Sequence, residues 1–541
     1  MASAGLLSLL HSGLQDERLL PEKGQPKIED FQKVYVKGGR FTTEFYRVDF
    51  DNAPTFGNTA KATLPRRGHL ITRVFLMATL PDIRTPQLAA RAAAAGAGQA
   101  FAGPTFGWTN SVGHALVSQA QFTIGGTPID TLDGRLMEVL DEFHTPIEKV
   151  TTVNRMIGRH DNGFSPTSNG WDTPNQELAI PIPFWFSRGD PSEALPIDAI
   201  GADQIQIGVT FNTIDNLFTT TSRTSTTNTA PVATTTDPVT GGCIPSAPGD
   251  YMFPSIISSP FYVLDSITGK PTFGLNGNPQ KSVVASQMGF KFNMPANYSL
   301  QDAYLLVEYV YLDRPEANRF RLGDLTYPIV QHYAINPFDT KGLPSARIQM
   351  RIPNPAREMY FFAHRKDADT LNAPFLATRD LSGTFTVDIS GVGPVAPWWP
   401  DASGLNSQLF LPLLPAYSAL DSEPLDSLAL LYEGKFVRYA TDCPAYFRSI
   451  LPSIEQRKSP WHNKYYYHIP FGTSQEDMGV SNPMGHANLD KILTVELALN
   501  FRPFRGSLRA TDVPQYIVYC WFETYNILRV YGGRAGLLFG Y

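Results

Sequence analysis

The chain has 541 residues, of which 43% are apolar, 12% aromatic and only 17% charged, with 44 prolines and 43 glycines. Few charges combined with many turn-formers and aromatics point to an all-β protein whose short strands are joined by many loops. A formal net charge of −6, with no basic cluster longer than Arg66-Arg67, excludes a protein that coats nucleic acid directly, because neutralising phosphates takes a concentrated basic footprint.

Taken in chain order, the first feature is an arm over residues 1–27. Its apolar run Ala2 to Leu10 has no basic segment before it and is too short to span a bilayer, so neither a secretory signal nor a membrane span is expected. Leu6, Leu7, Leu10 and Leu14 give it a weak amphipathic face that offers a membrane contact. Strand signals begin with Lys61–Leu64, stopped by Pro65, and continue in Leu70-Ile71 and Val74–Leu80. An Ala/Gly-rich insertion, Arg91–Gly103, follows. Gln121–Ile124 then meets the turn pair Gly125-Gly126, and after a short strand a helix is predicted to start near Asp133, with Leu136, Val139, Leu140 and Phe143 on one face. Ile180–Phe186 is apolar on both sides and reads, like Val74–Leu80 and Tyr304–Leu312, as a strand covered on both faces. Ile205, Ile207, Val209 and Phe211 alternate with polar or small residues, the period of a strand with one face in a core.

Between Thr219 and Thr240, 11 of 22 residues are Thr, and almost none is large and apolar. Such a stretch lacks the groups needed to offset ordering entropy, so residues 216–281 read as a long surface insertion. Further alternating strands are predicted at Ile348–Ile352, Phe385–Ile389 and Val495–Phe501, and a Tyr-rich strand at Tyr516–Phe522. Leu428–Tyr432 meets the turn Glu433-Gly434 and then a helix start near Thr441-Asp442, with Phe447, Ile450, Leu451 and Ile454 on its apolar face.

These plans repeat. The separation from Gly126 to Asp133 and from Gly434 to Thr441 is seven residues in both cases. A strand ending at proline precedes an aromatic strand in each half (Pro65 before Val74–Leu80, Pro353 before Met359–Phe362), and each half closes on a Tyr-rich strand. A shared order of elements without sequence identity implies two β-domains of one architecture.

The sequence carries no support for catalytic chemistry. None of the ten histidines stands in an HxH pair, the closest two being His462 and His468, and no HExxH, GxxxxGK[ST] or GxSxG occurs. The neighbouring acids Asp141-Glu142 and Glu476-Asp477 read as exposed loop carboxylates rather than a catalytic pair. His114 reads as a hydrogen-bonded packing residue rather than a ligand, and Trp398-Trp399 as a loop plug or subunit contact rather than a sugar shelf. Arg66, Arg67, Arg502, Arg505 and Arg509 read as scattered solvated or inter-subunit positions. Asn297-Tyr-Ser299 is a formal glycosylation acceptor that a cytosolic chain does not present to that machinery. Cys243, Cys443 and Cys520 lie far apart, without a CxxC, which fits a chain folded in a reducing cytosol. Cys520 is expected buried and inert, Cys443 more reactive at a helix start, and Cys243 most accessible. No catalytic, cofactor-binding or metal-ligating residue is assigned.

Six segments in order resemble the double jelly-roll major capsid proteins of nucleocytoplasmic large DNA viruses. They are Phe31-Gln-Lys-Val-Tyr35, Arg67-Gly-His-Leu-Ile-Thr-Arg-Val-Phe-Leu76, and Trp108-Thr-Asn-Ser-Val-Gly-His-Ala-Leu116 with Ile124-Gly-Gly126. Then come Pro181-Ile-Pro-Phe-Trp-Phe186 with Ala194-Leu-Pro196, Tyr309-Val-Tyr-Leu-Asp313 with Arg319-Phe320, and Tyr525-Asn-Ile-Leu-Arg529 with Gly536-Leu537. The resemblance implies two consecutive eight-stranded antiparallel jelly rolls: an arm at 1–27, a first roll at 28–313 carrying the insertion 216–281, a linker at 314–327 and a second roll at 328–541. It also implies a homotrimeric, pseudo-hexagonal capsomer in the shell of a virion assembled in the host cytoplasm. Expected partners are copies of the chain itself, minor capsid and penton proteins, and an internal membrane met by the N-terminal arm. A minor or penton component, and outside the class a carbohydrate-binding β-sandwich, are the competing readings.

Overall fold

Alternation in the sequence becomes alternation of burial. In the strand Ile205–Phe211, residues 205, 207, 209 and 211 are buried and those between them half-exposed; Val495–Phe501 repeats the pattern with Val495, Leu497, Leu499 and Phe501 inside. The computed structural model describes residues 40–82, 105–159, 177–189, 191–221, 299–366, 374–375, 377, 379, 423–434, 436–454, 458–460, 464–472, 485–503 and 513–540. Two units are delimited: residues 1–42, of which 40–42 are described, and residues 43–541, which hold both halves of the duplicated plan.

The first half contains β1 (Phe41–Asp49), β2 (Thr59–Thr63), β3 (Leu70–Thr79), β4 (Thr105–Trp108), β5 (Val117–Ile124), β6 (Thr127–Asp133), β7 (Glu177–Pro181), β8 (Ile205–Phe211), β9 (Phe218–Thr221) and β10 (Asp302–Leu312). The second contains β11 (Leu325–Ala334), β12 (Phe338–Asp339), β13 (Ser345–Met350), β14 (Pro355–Arg365), β15 (Leu425–Tyr432), β16 (Phe436–Thr441), β17 (Tyr466–Pro470), β18 (Ala487–Asn488), β19 (Val495–Phe501), β20 (Tyr516–Tyr531) and β21 (Arg534–Leu537).

Strand order makes the duplication explicit. The first half forms sheets β1-β10-β3-β7 and β2-β8-β5-β6; the second forms β11-β20-β14-β17 and β13-β19-β15-β16. Replacing each first-half strand by its counterpart in chain order converts one pair of sheets into the other. Each pair is an eight-stranded antiparallel jelly roll. The remaining strands are additions: β4 pairs with β9, β12 and β21 extend along β20, and β18 pairs with β14.

The matching hairpins show why such different sequences share this plan. Gly125 and Gly126 both take positive φ (58° and 83°), and so do Glu433 and Gly434 (53° and 67°). Two successive left-handed residues form the turn whose twist suits a tight hairpin. From there β6 runs to Asp133 and β16 to Thr441, preserving the seven-residue spacing.

Several expectations are revised. The run Ile180–Phe186 is not one strand: β7 ends at Pro181, and Trp185–Ser187 forms a 3₁₀ turn. Pro181 and Pro183 cannot donate to a ladder, so the aromatic trio leaves the sheet and packs on Phe122 instead, with ring centroids 5.1–5.6 Å away. Strands β3 and β10 bury one face and leave residues such as Phe75, Met77, Tyr304 and Leu306 only half-covered. The strands buried on nearly every residue are β14 and β17. The expected linker 314–327 holds a helix, Arg314–Leu322, capped by the Asp313 side chain, and then the first residues of β11. The expected insertion starting at 216 begins with ordered strand, since β9 pairs with β4 from Phe218 to Thr221. After β16 the helical turns Tyr446–Ile450 and Leu451–Ile454 bury Phe447 but leave Ile450 and Ile454 exposed. The arm 1–27, the insertion Arg91–Gly103 and the strand predicted at Phe385–Ile389 lie outside the described residues.

Candidate functional site

The polar groups with the most organised chemistry lie where the two rolls meet. The helix Gly134–His144 grows directly from β6. Asp133 caps it, its carboxylate accepting the Leu136 amide at 2.7 Å. Gly134 is required at the first helical position because a Cβ there would press on the backbone carbonyl oxygens of His114 and Val117. Glu138, Asp141 and Glu142 stand at spacings of three and four and therefore share one helix face.

That face is covered by cations from both rolls. Arg159, just beyond the helix Ile147–Ile157, donates from Nε to Glu138 Oε1 at 3.1 Å, pairs with Asp141, and lies 3.3 Å from Glu142. Ser111 donates to Glu138 at 3.1 Å, and His114 Nδ1 is hydrogen-bonded to the same carboxylate at 2.7 Å. From the second roll, Lys464 Nζ donates to Glu142 at 2.9 Å and also to Glu138, and Lys458 Nζ lies 3.2 Å from Glu142. Three acids thus meet three cations. Burial alone would raise the Glu138 and Glu142 pKa values, but Arg159 and Lys464 reverse this, holding Glu138 well below the carboxylate range and Glu142 at about 2.

A second cluster lies on the face that β14 and β20 turn toward the first roll. Glu358 and Glu523 are directly opposite on these paired strands, and both are buried. Like charges so placed repel, and the neighbours offset this. Arg188 of the first roll donates to Glu523 Oε1 at 2.7 Å, and Arg357 Nε lies 3.1 Å from Glu358. His332 bridges the rolls: its Nδ1 is 3.0 Å from Asp130 and its Nε2 3.3 Å from Glu523. Burial works against charging His332, but Asp130 and Glu523 prevail and raise its pKa to about 9. Tyr360 donates to Glu358 and is hydrogen-bonded to His144 of the first roll at 3.0 Å; His468 Nε2 is 3.2 Å from Glu358. At the margin, Ala202 donates its amide to Gly533 at 2.8 Å, and Asp203 accepts the Ala535 amide at 3.0 Å.

The acids here are each saturated by cations or hydrogen bonds, so the arrangement joins two domains and does not present a poised acid, base or nucleophile. Among the described residues no cluster of His, Cys, Asp and Glu is arranged to hold a metal ion. His114 is a buried, hydrogen-bonded packing residue. The reading of Asp141-Glu142 as exposed loop acids is corrected: both sit in the buried cluster, because Arg159 and the second-roll lysines compensate them. Arg66 donates to the Asp203 carbonyl and Arg67 lies over the Tyr46 ring at 3.7 Å, while Arg502 is 3.6 Å from Asp426, all scattered positions. Cys443 is exposed and Cys520 buried. Cys243, Asn297, Trp398, Trp399, His462, Glu476, Asp477, Arg505 and Arg509 lie outside the described residues. Sequence reasoning did not single out Lys464, Arg188, His332, Glu358 or Glu523; an acid on the buried side of an amphipathic helix, as Glu138 is, was the available signal.

Residues 30–252 match the family described as major capsid protein N-terminus. Over 223 residues the chain is 30% identical to capsid protein 1 of Acanthamoeba polyphaga mimivirus, a match covering 40% of this chain and 35% of that one. The major capsid protein of Chrysochromulina ericina virus is 23% identical over 428 residues, 72% of this chain and 61% of the relative. The chain therefore spans between about a third and three-fifths of the length of these curated relatives. In three dimensions it resembles PBCV-1 VP54 (TM-score 0.60, 16% identity, 94% of this chain and 100% of that one). It also resembles the Faustovirus major capsid protein (TM-score 0.57, 12% identity, 98% and 97%). Two complete jelly rolls in one chain, joined by a charged seam, define a double jelly-roll protein. Residues 30–252 thus match the N-terminal segment of major capsid proteins, and the chain shares its double jelly-roll fold with PBCV-1 VP54 and the Faustovirus major capsid protein.

Proposed function

We propose that the chain is a major capsid protein whose role is geometric: three copies form a pseudo-hexagonal capsomer, and capsomers tile an icosahedral shell around a large double-stranded DNA genome. The observation that carries this reading is the strand order written twice, since two wedges of one topology let a three-fold object occupy positions of local six-fold symmetry. The seam supports it, because near-equivalent wedges tile only if their mutual orientation is constant. On this reading the first roll runs from about residue 28 to Asp313, the helix Arg314–Leu322 marks the junction, and the second roll follows. The role is structural, with no residue assigned to catalysis. The partners are further copies of the chain, minor capsid and penton proteins, and an internal membrane reached by the arm 1–27; assembly takes place in the host cytoplasm. A penton subunit built on a single roll is disfavoured by the complete second roll.

Sedimentation and negative-stain imaging of the purified chain test the proposal. The expected result is a stable trimer with a hexagonal outline. A monomer persisting across a wide concentration range would sink it.

A further inference from the structure

We propose that the acidic face of the helix Gly134–His144 is a docking site for Lys458 and Lys464 of the second roll, so that the two rolls fold as one cooperative unit whose mutual orientation is set by this buried charge pairing. The inference stands on the inter-roll geometry and does not require the capsid reading.

The first roll cannot complete this site from its own described residues. Glu138 and Glu142 are buried at 0% and 1% exposure, and the partly covered Asp141 adds a third carboxylate beside them. Among the described residues of the first roll they meet one cation, Arg159, together with hydrogen bonds from Ser111 and His114. Three carboxylates against that one described first-roll cation make an excess of negative charge, and burying such an excess is strongly destabilising. Lys458 and Lys464 bring two positive charges from the second roll to this face. The dependence is mutual: Lys464 is itself buried, and it stands two residues before β17, every residue of which is buried.

Pairing of this kind also selects one arrangement. The apolar contacts beside it, Phe143 against Tyr360 and His468 with ring centroids 5.7 and 5.6 Å away, would survive a small slide. Lys464 contacts Glu138 and Glu142 together, so a slide along the helix in either direction draws it away from at least one of them. Buried ion pairs add little net stability compared with apolar packing, but they penalise wrong registers heavily. The device therefore discriminates between inter-roll orientations more than it adds affinity.

The test is a double-mutant cycle in the full chain with Glu138→Gln, Lys464→Gln and both together, read by calorimetry. Each single variant should lower the melting temperature by several degrees and split one transition into two. The double variant should lose clearly less than the sum of the singles. Lys464→Arg, which keeps the charge, should restore a single transition. The exposed pair Arg47 and Asp302 is the control, and Arg47→Gln should leave melting unchanged. Should a variant fail to fold, native-state hydrogen exchange on the unaltered protein decides the matter. Amides of the helix Gly134–His144 and of β17 should exchange through one opening with one denaturant dependence. Additive losses in the cycle, or separate openings of the two elements, would overturn the proposal.

Discussion

The indole nitrogen of Trp521 donates a hydrogen bond across 2.8 Å to the carboxylate of Asp133, whose other oxygen caps the helix Gly134–His144. One side chain of the first roll thus ends β6, starts the helix and receives the second roll. Burial raises the Asp133 pKa although the Leu136 amide and Trp521 donate to it, so the carboxylate depends on both donors. Trp521→Phe retains most of the ring and removes the donor, and should cost about 1–3 kcal/mol of unfolding free energy. Asp133→Ala also removes the cap, a further loss of about 1 kcal/mol. Urea unfolding of the full chain measures both; an alanine variant more stable than the phenylalanine variant would contradict the dual role.

Stability should fall on both sides of a plateau in pH. His332 has a folded pKa raised to about 9, so its contribution is complete below about 6.5 and fades as pH climbs toward 9. The facing groups are Asp130 and Glu523, which favour the charged ring, and Arg188, 2.8 Å from Nε2, which opposes it. The shift corresponds to about 3 kcal/mol at most. Glu142 is the opposite case: depressed to about 2, it stabilises above about 4.5 and loses that contribution as pH falls toward 2. Melting scans from pH 3 to 10 should show both limbs, and His332→Gln should flatten the alkaline one. An unchanged alkaline limb in that variant would remove His332 from the account.

The described cysteines should label at very different rates. Cys443 is exposed, whereas Cys520 lies inside β20 with its thiol pKa pushed well up by burial. Alkylation of native protein followed by peptide mapping should modify Cys443 within minutes and reach Cys520 only on unfolding. Equal labelling would place β20 wrongly.

Deleting Ser222–Pro238 should leave melting and oligomeric state unchanged, because the segment has almost no core-forming groups. Shortening a loop of about 65 residues to about 50 alters closure entropy by only a few tenths of a kcal/mol. The deletion should stop short of β9, whose ladder with β4 holds Phe218–Thr221 opposite Thr105–Trp108. Limited proteolysis should cut first near Arg223. A change of oligomeric state on deletion would make the segment an interface arm.

Alternating apolar residues and two-residue turns were readable in the sequence because both are local. Ile205, Ile207, Val209 and Phe211 announce their buried face within seven residues, and Gly125-Gly126 announces a hairpin within two. The equal spacing of Gly126 to Asp133 and Gly434 to Thr441 made the duplication legible without identity between the halves. What β14 and β20 do with their second faces was not legible, because an alternating pattern does not say what covers the outer side. The acids failed for the same reason. Glu142 finds Lys464 at a sequence separation of 322, and Glu523 finds Arg188 at 335. An isolated carboxylate in a sequence reads as exposed because burying it alone is prohibitive. Only the tertiary structure brings the cation that makes burial affordable, so the strands belong to the sequence and the seam to the fold.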